Sequence, residues 1–314
     1  MASPIVIETE PIAPAPRAWL ADRVELIHRP YQDRTALLAD LSSADGLLVR
    51  TYTIVDEALL EQAPNLRVVA RAGVGLDNID LDACRSRSVA VVHTPDSNTQ
   101  SVVEFVAWAL IHHTRTIRPL GDDYTPERWH TIRQHASAER SLVGQTLGII
   151  GLGRIGSRVA ALAAALGMRV QYCDLLDIPE PERNGANPTT IDELVRTSNA
   201  ITIHVDARET NHRMINDQVF AQIKPDALLI NAARGSVVDP GSAARFAKSN
   251  PQARLVLDVH DPEPLDSPSL LALSNVTLTP HIASGTSQAK EAMSWVVRDL
   301  VRVLDGETPE HRAV

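Results

Sequence analysis

Two cysteines in 314 residues, Cys84 and Cys173, are too few for a disulfide framework or a zinc site of their own. Aromatic residues are also sparse, at 4%, so the cores have to be built from Ala, Val, Leu and Ile. The longest apolar stretches, such as 157–166, are too short to cross a bilayer. The opening residues MASPIVIETE lack the basic start and long apolar run of a secretion signal. No basic tract stands out and the formal charge is -9, which argues against a nucleic-acid or anionic-membrane surface. These absences leave the expectation of a cytoplasmic globular protein with no membrane, nucleic-acid or metal partner. What is present is ample for folding: 44% hydrophobic residues, in a length that suits two domains.

Short apolar runs alternate with helical patterns over the first 95 residues. Strands are expected at 5–7, 24–27, 46–49, 68–70 and 90–92, with helical spacing at 35–41, 55–62 and 81–86. The segment EPIAPAP reads as a stiff loop. A long helix at 101–113 continues through Arg118 and Leu120 into a polar, loop-like stretch at 122–135. A second alternating series places strands at 146–150, 169–173, 200–204, 227–231, 254–258 and 276–278. Strands separated by helices imply parallel sheets covered on both faces. Six strands complete a doubly wound sheet by themselves, so the last helix, 287–304, is free to pack back on the first domain. The expected fold is α/β, with two doubly wound parallel-sheet domains. A Rossmann dinucleotide-binding domain, 96–284, is inserted into a flavodoxin-like substrate domain made of 1–95 and 285–314.

The run TLGIIGLGRIGSRVAALAAALG carries Gly151, Gly153 and Gly156 between a strand and an Ala-rich helix. The first glycine makes the tight turn, the second admits a pyrophosphate, and the third lets helix and strand pack closely. Backbone amides at the helix start, at Arg154 and Ile155, then face the phosphates. The next strand ends at Asp174, whose carboxylate can accept hydrogen bonds from the ribose hydroxyls. The same carboxylate stands where a 2′-phosphate would go, and Leu175 and Leu176 supply no cation. NAD rather than NADP is expected, with Arg183 as the nearest downstream cation.

The stretch LLINAARGSVVD sets a permanent charge, Arg234, at the end of a buried-looking strand. Such a guanidinium is expensive to leave unpaired; either a carboxylate of the chain or a bound anion neutralises it. Glu263 and His281 also follow strands, and open α/β sheets bind ligands beyond the carboxyl ends of their strands. Reducing a carbonyl by hydride transfer leaves an alkoxide that needs a proton, which a histidine can supply. A carboxylate on its other nitrogen fixes the tautomer, and an arginine can hold a substrate carboxylate in a fork.

At these residues a family shows itself. GLGRIG, NAARGSVVD, DVHDPEPL and TPHIASGT resemble the D-isomer-specific 2-hydroxyacid dehydrogenases, in the family's order and over nearly the whole chain. RAGVGLDNID and TPDSNTQSVVE look most like the phosphoglycerate dehydrogenase branch. The resemblance implies catalytic roles for Arg234, Glu263 and His281, with the substrate as the counterion of Arg234. It implies cofactor contacts at Ser101, His204, Ala232 and Asp258, and substrate contacts at Val74, Gly75 and Asn98. Arg50, in LLVRTYT, falls where that branch faces the distal anionic group of its substrate. Four positions depart from the pattern: Asp96 where glycine is common, Asp206 where proline follows the HV strand, and His260 and Asp261 where an aromatic and Glu are typical.

The implied activity is NAD-dependent hydride transfer between nicotinamide and a small anionic D-2-hydroxy or 2-keto acid, phosphoglycerate-like by preference. A phosphonate or sulfonate hydroxy compound is the alternative substrate. A non-enzymatic NAD-sensing corepressor of the same fold is the alternative function. Formate or phosphite dehydrogenases are a further possibility, against which Glu263 speaks, since formate dehydrogenases pair their histidine with glutamine. A homodimer is expected around 101–113 and the following arm, where Phe105, Trp108 and Leu110 exceed what one domain face needs. The sequence closes at Val314, so regulatory domains like those of longer phosphoglycerate dehydrogenases are not expected.

Overall fold

The computed structural model describes residues 3–115, 117, 119–122, 124–138 and 140–314, so Arg118, on the expected helix continuation, lies outside the described residues. The chain divides into two compact units: the residues up to Asn98 together with Gly285–Val314, and Thr99–Ser284. The first division falls at Asn98, a little beyond the expected 95.

The first unit holds five parallel strands, β1 (Ile5–Glu8), β2 (Glu25–His28), β3 (Gly46–Val49), β4 (Val68–Arg71) and β5 (Ala90–Val92), in the order β2-β1-β3-β4-β5. This is the flavodoxin-like order, and the connections reverse between β1 and β3. Val6, Ile7, Leu47, Leu48, Val49, Val68 and Val69 are wholly buried, as expected of strands covered on both faces. EPIAPAP is only half loop: a helix, Pro14–Ala21, starts within it. Proline suits the first helical turn because its missing N–H is not needed there. The expected helix 287–304 is two, Ser287–Ser294 and Val297–Leu304, interrupted where Trp295 meets Trp19 edge-on at 6.1 Å. The second sets Val297, Leu300 and Leu304 against Val68, Ala70 and Val92. Beyond it the chain runs antiparallel along β5, with bonds His93 N–H to His311 O (3.2 Å) and Ala313 N–H to Val91 O (2.8 Å).

The second unit holds β6 (Thr146–Ile150), β7 (Arg169–Cys173), β8 (Asn187–Pro188), β9 (Ala200–Ile203), β10 (Leu228–Asn231), β11 (Arg254–Leu257) and β12 (Val276–Leu278). Their order is β12-β11-β10-β9-β6-β7-β8, all parallel, and it reverses between β6 and β9. The seventh strand, β8, is a two-residue edge containing a proline, which has no N–H to give a ladder and leaves no periodic signal. Helix Thr99–Thr114 packs Val103, Val106, Ala109 and Leu110 against Leu147, Ile149 and Val159. Leu110, expected in surplus, is therefore core. The surplus is Trp108 and Ile111, 41% and 43% exposed. The stretch expected as a polar loop at 122–135 contains a helix, Pro126–Ala138, whose residues are nearly all exposed, so no apolar stripe marks it. No helix among the described residues is long and apolar enough to cross a membrane.

Candidate active site

The glycine loop joins β6 to helix Arg154–Ala165 in the second unit. Gly151 has φ +93°, and a Cβ there would lie 2.8 Å from the carbonyl oxygen of His204. A Cβ on Gly156 would lie 2.1 Å from the carbonyl oxygen of Gly151. Both positions are closed to any side chain. Gly153 is the opposite case, with nothing within 4 Å of the same construction. It begins a helix that has no side-chain cap, and the first amide to bond back is that of Ser157, to Gly153 O at 2.9 Å. The amides of Arg154 and Ile155 are thus left for a ligand, at the positive end of the helix. Asp174, just after β7, accepts from Leu152 N–H (2.6 Å) and Leu176 N–H (2.9 Å), one on each oxygen. Each oxygen keeps a further lone pair for a ribose hydroxyl. The cradle fits a dinucleotide.

The charge of Asp174 acts on a cation further along the chain than Arg183. Arg183 is taken up by Ile178 O and Asp177. Arg208, from the loop after β9, carries a raised pKa, caused first by its hydrogen bonds to Asp206 and in part by the charge of Asp174. Sequence distance hid it, although the departure at Asp206 marked the place. His204 follows β9 with its imidazole held by Thr202 at 2.9 Å, and burial lowers its pKa to about 3. Its Nδ1 is buried with no hydrogen-bond partner among the described residues. Ser101 lies buried in the first turn of helix Thr99–Thr114, and Ala232 follows β10 half-buried.

Arg234, Glu263 and His281 follow β10, β11 and β12, at the carboxyl edge of one sheet. Asn231 builds the turn under Arg234, accepting from Ala233 N–H at 3.1 Å and donating to Arg234 O at 3.0 Å. Gly235 must be glycine because a Cβ would fall 2.0 Å from the carbonyl of His260. That close approach presses the arginine turn against the loop carrying Glu263. Glu263 Oε2 pairs with His281 Nδ1 at 2.9 Å, and its Oε1 accepts from His260 N–H at 3.0 Å. The His281 and Glu263 side chains are 39% and 33% exposed, so the pair is open to a ligand. With Nδ1–H given to the carboxylate, Nε2 is left as the exchangeable site. His260, one of the departures, donates from Nε2 to Thr279 O at 2.8 Å and so ties the two loops together.

Asp258, expected at the cofactor, is wholly buried and acts as scaffold for His281. Its carboxylate accepts from Thr279 hydroxyl (2.6 Å), Ile282 N–H (2.8 Å) and Ala283 N–H (2.8 Å), and its carbonyl from His281 N–H (2.7 Å). These bonds hold His281 at φ +55°, a left-handed conformation that a loop must enforce.

The first unit carries the remaining residues. Among the described residues no backbone acceptor takes the amides of Val74 and Gly75, while Val74 O binds His93 Nδ1 at 3.0 Å. Arg50, after β3, donates from Nη1 to Pro11 O at 3.2 Å. No carboxylate among the described residues pairs with it. Asn98 has a buried Oδ1 with no hydrogen-bond partner among the described residues.

Residues 107–283 match the model of the D-isomer specific 2-hydroxyacid dehydrogenase, NAD binding domain. The chain belongs to that family. D-3-phosphoglycerate dehydrogenase of Mycobacterium bovis is 36% identical over 309 residues, 98% of this chain and 58% of its own length. The chain thus spans little more than half of that relative. Glyoxylate reductase of Thermococcus kodakarensis is 35% identical over 283 residues, 88% of this chain and 85% of that one. The solved structure of D-lactate dehydrogenase from Aquifex aeolicus, complexed with NAD and lactic acid, shares 27% identity and a TM-score of 0.79 over 96% of each chain.

The matching model is an NAD binding domain, so the cofactor is NAD, held in the second unit. The glycines separate its binding from folding. Gly153→Ala is expected to leave the melting temperature of the free protein unchanged and to weaken NADH at least about tenfold, roughly 1.4 kcal/mol. Gly156→Ala is expected to lower the melting temperature itself. Calorimetry and NADH fluorescence titration check both, and wild-type NADH affinity in Gly153→Ala would place the phosphates elsewhere.

Proposed function

We propose that the chain is an NAD-dependent dehydrogenase of a small D-2-hydroxy acid bearing a second anionic group, phosphoglycerate-like by preference. The observation that carries the chemistry is the 2.9 Å His281–Glu263 pair beside Arg234, on the same sheet edge as the glycine loop. When bound, the cofactor would supply the hydride acceptor as NAD in oxidation and the hydride donor as NADH in reduction. In reduction His281 gives its Nε2 proton to the forming alkoxide, and in oxidation it takes that proton from the hydroxyl. Glu263 fixes the ring tautomer and stabilises the imidazolium. Arg234 binds the substrate carboxylate and polarises the neighbouring carbonyl. Val74, Gly75 and Asn98 are the further substrate-binding positions.

Arg50 supports the distal anion, since its guanidinium meets a backbone carbonyl rather than a carboxylate within its own unit. A phosphate, phosphonate, sulfonate or second carboxylate shares the chemistry it recognises. The test is NADH oxidation against a panel of 2-keto acids with and without a distal anion, repeated in the oxidative direction with NAD. No turnover of any member would overturn the enzyme reading, and turnover confined to members without a distal anion would overturn the substrate class.

The protein is proposed to work in the cytoplasm as a homodimer. The exposed apolar side chains of Trp108, Ile111, Ile117, Leu120, Tyr124 and Trp129 cluster on one stretch of chain, the sort of patch an isologous interface covers. Light scattering at micromolar concentration is expected to give twice the chain mass; a value near 34.2 kDa would count against the dimer.

A further inference from the structure

The loop after β3, residues 50–53, turns four consecutive amides inward at the point where the strand order of the first unit reverses. All four go to one carboxylate. Glu10 Oε1 accepts from the N–H groups of Arg50 (3.1 Å), Tyr52 (3.0 Å) and Thr53 (3.2 Å), and from the Thr53 hydroxyl (3.1 Å). Its Oε2 accepts from Thr51 N–H at 3.0 Å, and the residue is 5% exposed. The loop's carbonyls are held from another segment: Asn78 donates to Arg50 O (3.2 Å) and Thr53 O (2.7 Å). Successive amides in such a concave turn make an anion site. Here the anion is the chain's own.

Two further contacts give this clamp a direction. Pro11, next to Glu10, supplies the carbonyl that the Arg50 guanidinium meets. Asn78 lies on the same segment as Val74 and Gly75, RAGVGLDNID. The peptide Glu10–Pro11 therefore grips Arg50 by backbone and side chain, while Asn78 ties its loop to the segment that carries the Val74 and Gly75 amides.

We propose that Glu10 is a positioning residue for substrate selection, fixing Arg50 at a set spacing from Val74 and Gly75 so that doubly anionic substrates are preferred. This rests on the reading of Arg50 as the ligand of the distal anion. Because Glu10 fills the nest, that anion meets a guanidinium and no ring of amides. A carboxylate is required in the nest, since it only accepts; a glutamine would turn an NH₂ group toward N–H donors. The loop then shifts, and a displacement of about 1 Å at a binding group is worth up to about 10² in rate.

The experiment compares wild type, Glu10→Gln, Asn78→Ala and Arg50→Met with 3-phosphohydroxypyruvate and with glyoxylate, at saturating NADH. Glu10→Gln is expected to raise KM for the phosphorylated acid about tenfold or more. Its kcat and KM with glyoxylate are expected to stay within about twofold, the level of an undisturbed reaction centre. Asn78→Ala is expected to show the same selective loss, smaller, and serves if the glutamine variant does not fold. Equal losses with both substrates, or no loss with either, overturn the assignment. Arg50→Met separates the two ideas. If it leaves the ratio of kcat/KM values for the two acids unchanged, the reading of Arg50 fails and the positioning role falls with it. If it collapses that ratio while the Glu10 and Asn78 variants do not, only the positioning role is wrong.

Discussion

Replacing His281 by asparagine is expected to lower kcat by about 10² to 10⁴, the usual worth of one positioned acid or base, while NADH affinity stays within a few-fold. Asparagine is the better probe than alanine because residue 281 sits at φ +55°. Asn enters the left-handed region more readily than other side chains except glycine, so the loop pinned by Asp258 keeps its shape and only the imidazole is lost. Glu263→Gln is expected to fall between wild type and His281→Asn. If its amide oxygen keeps the His260 N–H, its NH₂ group faces Nδ1 and favours the wrong tautomer, and an uncharged partner stabilises the imidazolium less. Single-turnover hydride transfer, followed by NADH absorbance, measures the step directly, with NADH titration as the control for folding. A His281→Asn enzyme retaining more than half of wild-type kcat would remove this residue from the acid/base role.

The second large effect concerns the nucleotide. Wild type should prefer NAD over NADP by roughly two orders of magnitude in kcat/KM. Two like charges a few ångströms apart at a partly buried site cost on the order of several kcal/mol, and each 1.4 kcal/mol or so is about tenfold. Asp174→Ala should narrow the ratio for two reasons. It relieves NADP, and it weakens NAD by taking the acceptor from Leu152 N–H inside the glycine loop. The charge of Asp174 already acts on the Arg208 guanidinium, but Asp206 binds Arg208 at 2.7 and 2.5 Å through both oxygens. Adding Asp206→Ala to Asp174→Ala should therefore favour NADP further than the single change. Comparable kcat/KM for the two cofactors in wild type would show that Asp174 does not face the ribose.

Strands were the most legible elements because buried parallel strands are continuous apolar runs, and every expected strand has a counterpart within a residue or two. The glycine loop was legible for a related reason: its spacing encodes steric demands that Gly151 and Gly156 meet within the backbone itself. What escaped the pattern had no apolar stripe or broke a local rule. Asn187–Pro188 is too short and Pro126–Ala138 too exposed to be periodic, and Pro14 opens a helix inside what reads as a loop. Within the site, residues that offer a side chain to a ligand stood at strand ends and could be found. Asp258, Asn78 and Glu10 spend their polar atoms on backbone groups distant in sequence, and nothing in one dimension signals that.

The antiparallel tail on β5 has a bearing on how the chain is made. β5 ends at Val92, yet the bonds on its outer side wait for residues 311–314, and Asp299 holds that tail by accepting from Glu310 N–H and His311 N–H. During synthesis the second unit emerges as one uninterrupted stretch and can fold as it leaves the ribosome, while the first sheet stands with an open flank. An open strand edge invites pairing with other chains. For this sheet maturation thus runs from the middle outward, and the β5 flank stays open until residues 311–314 have emerged.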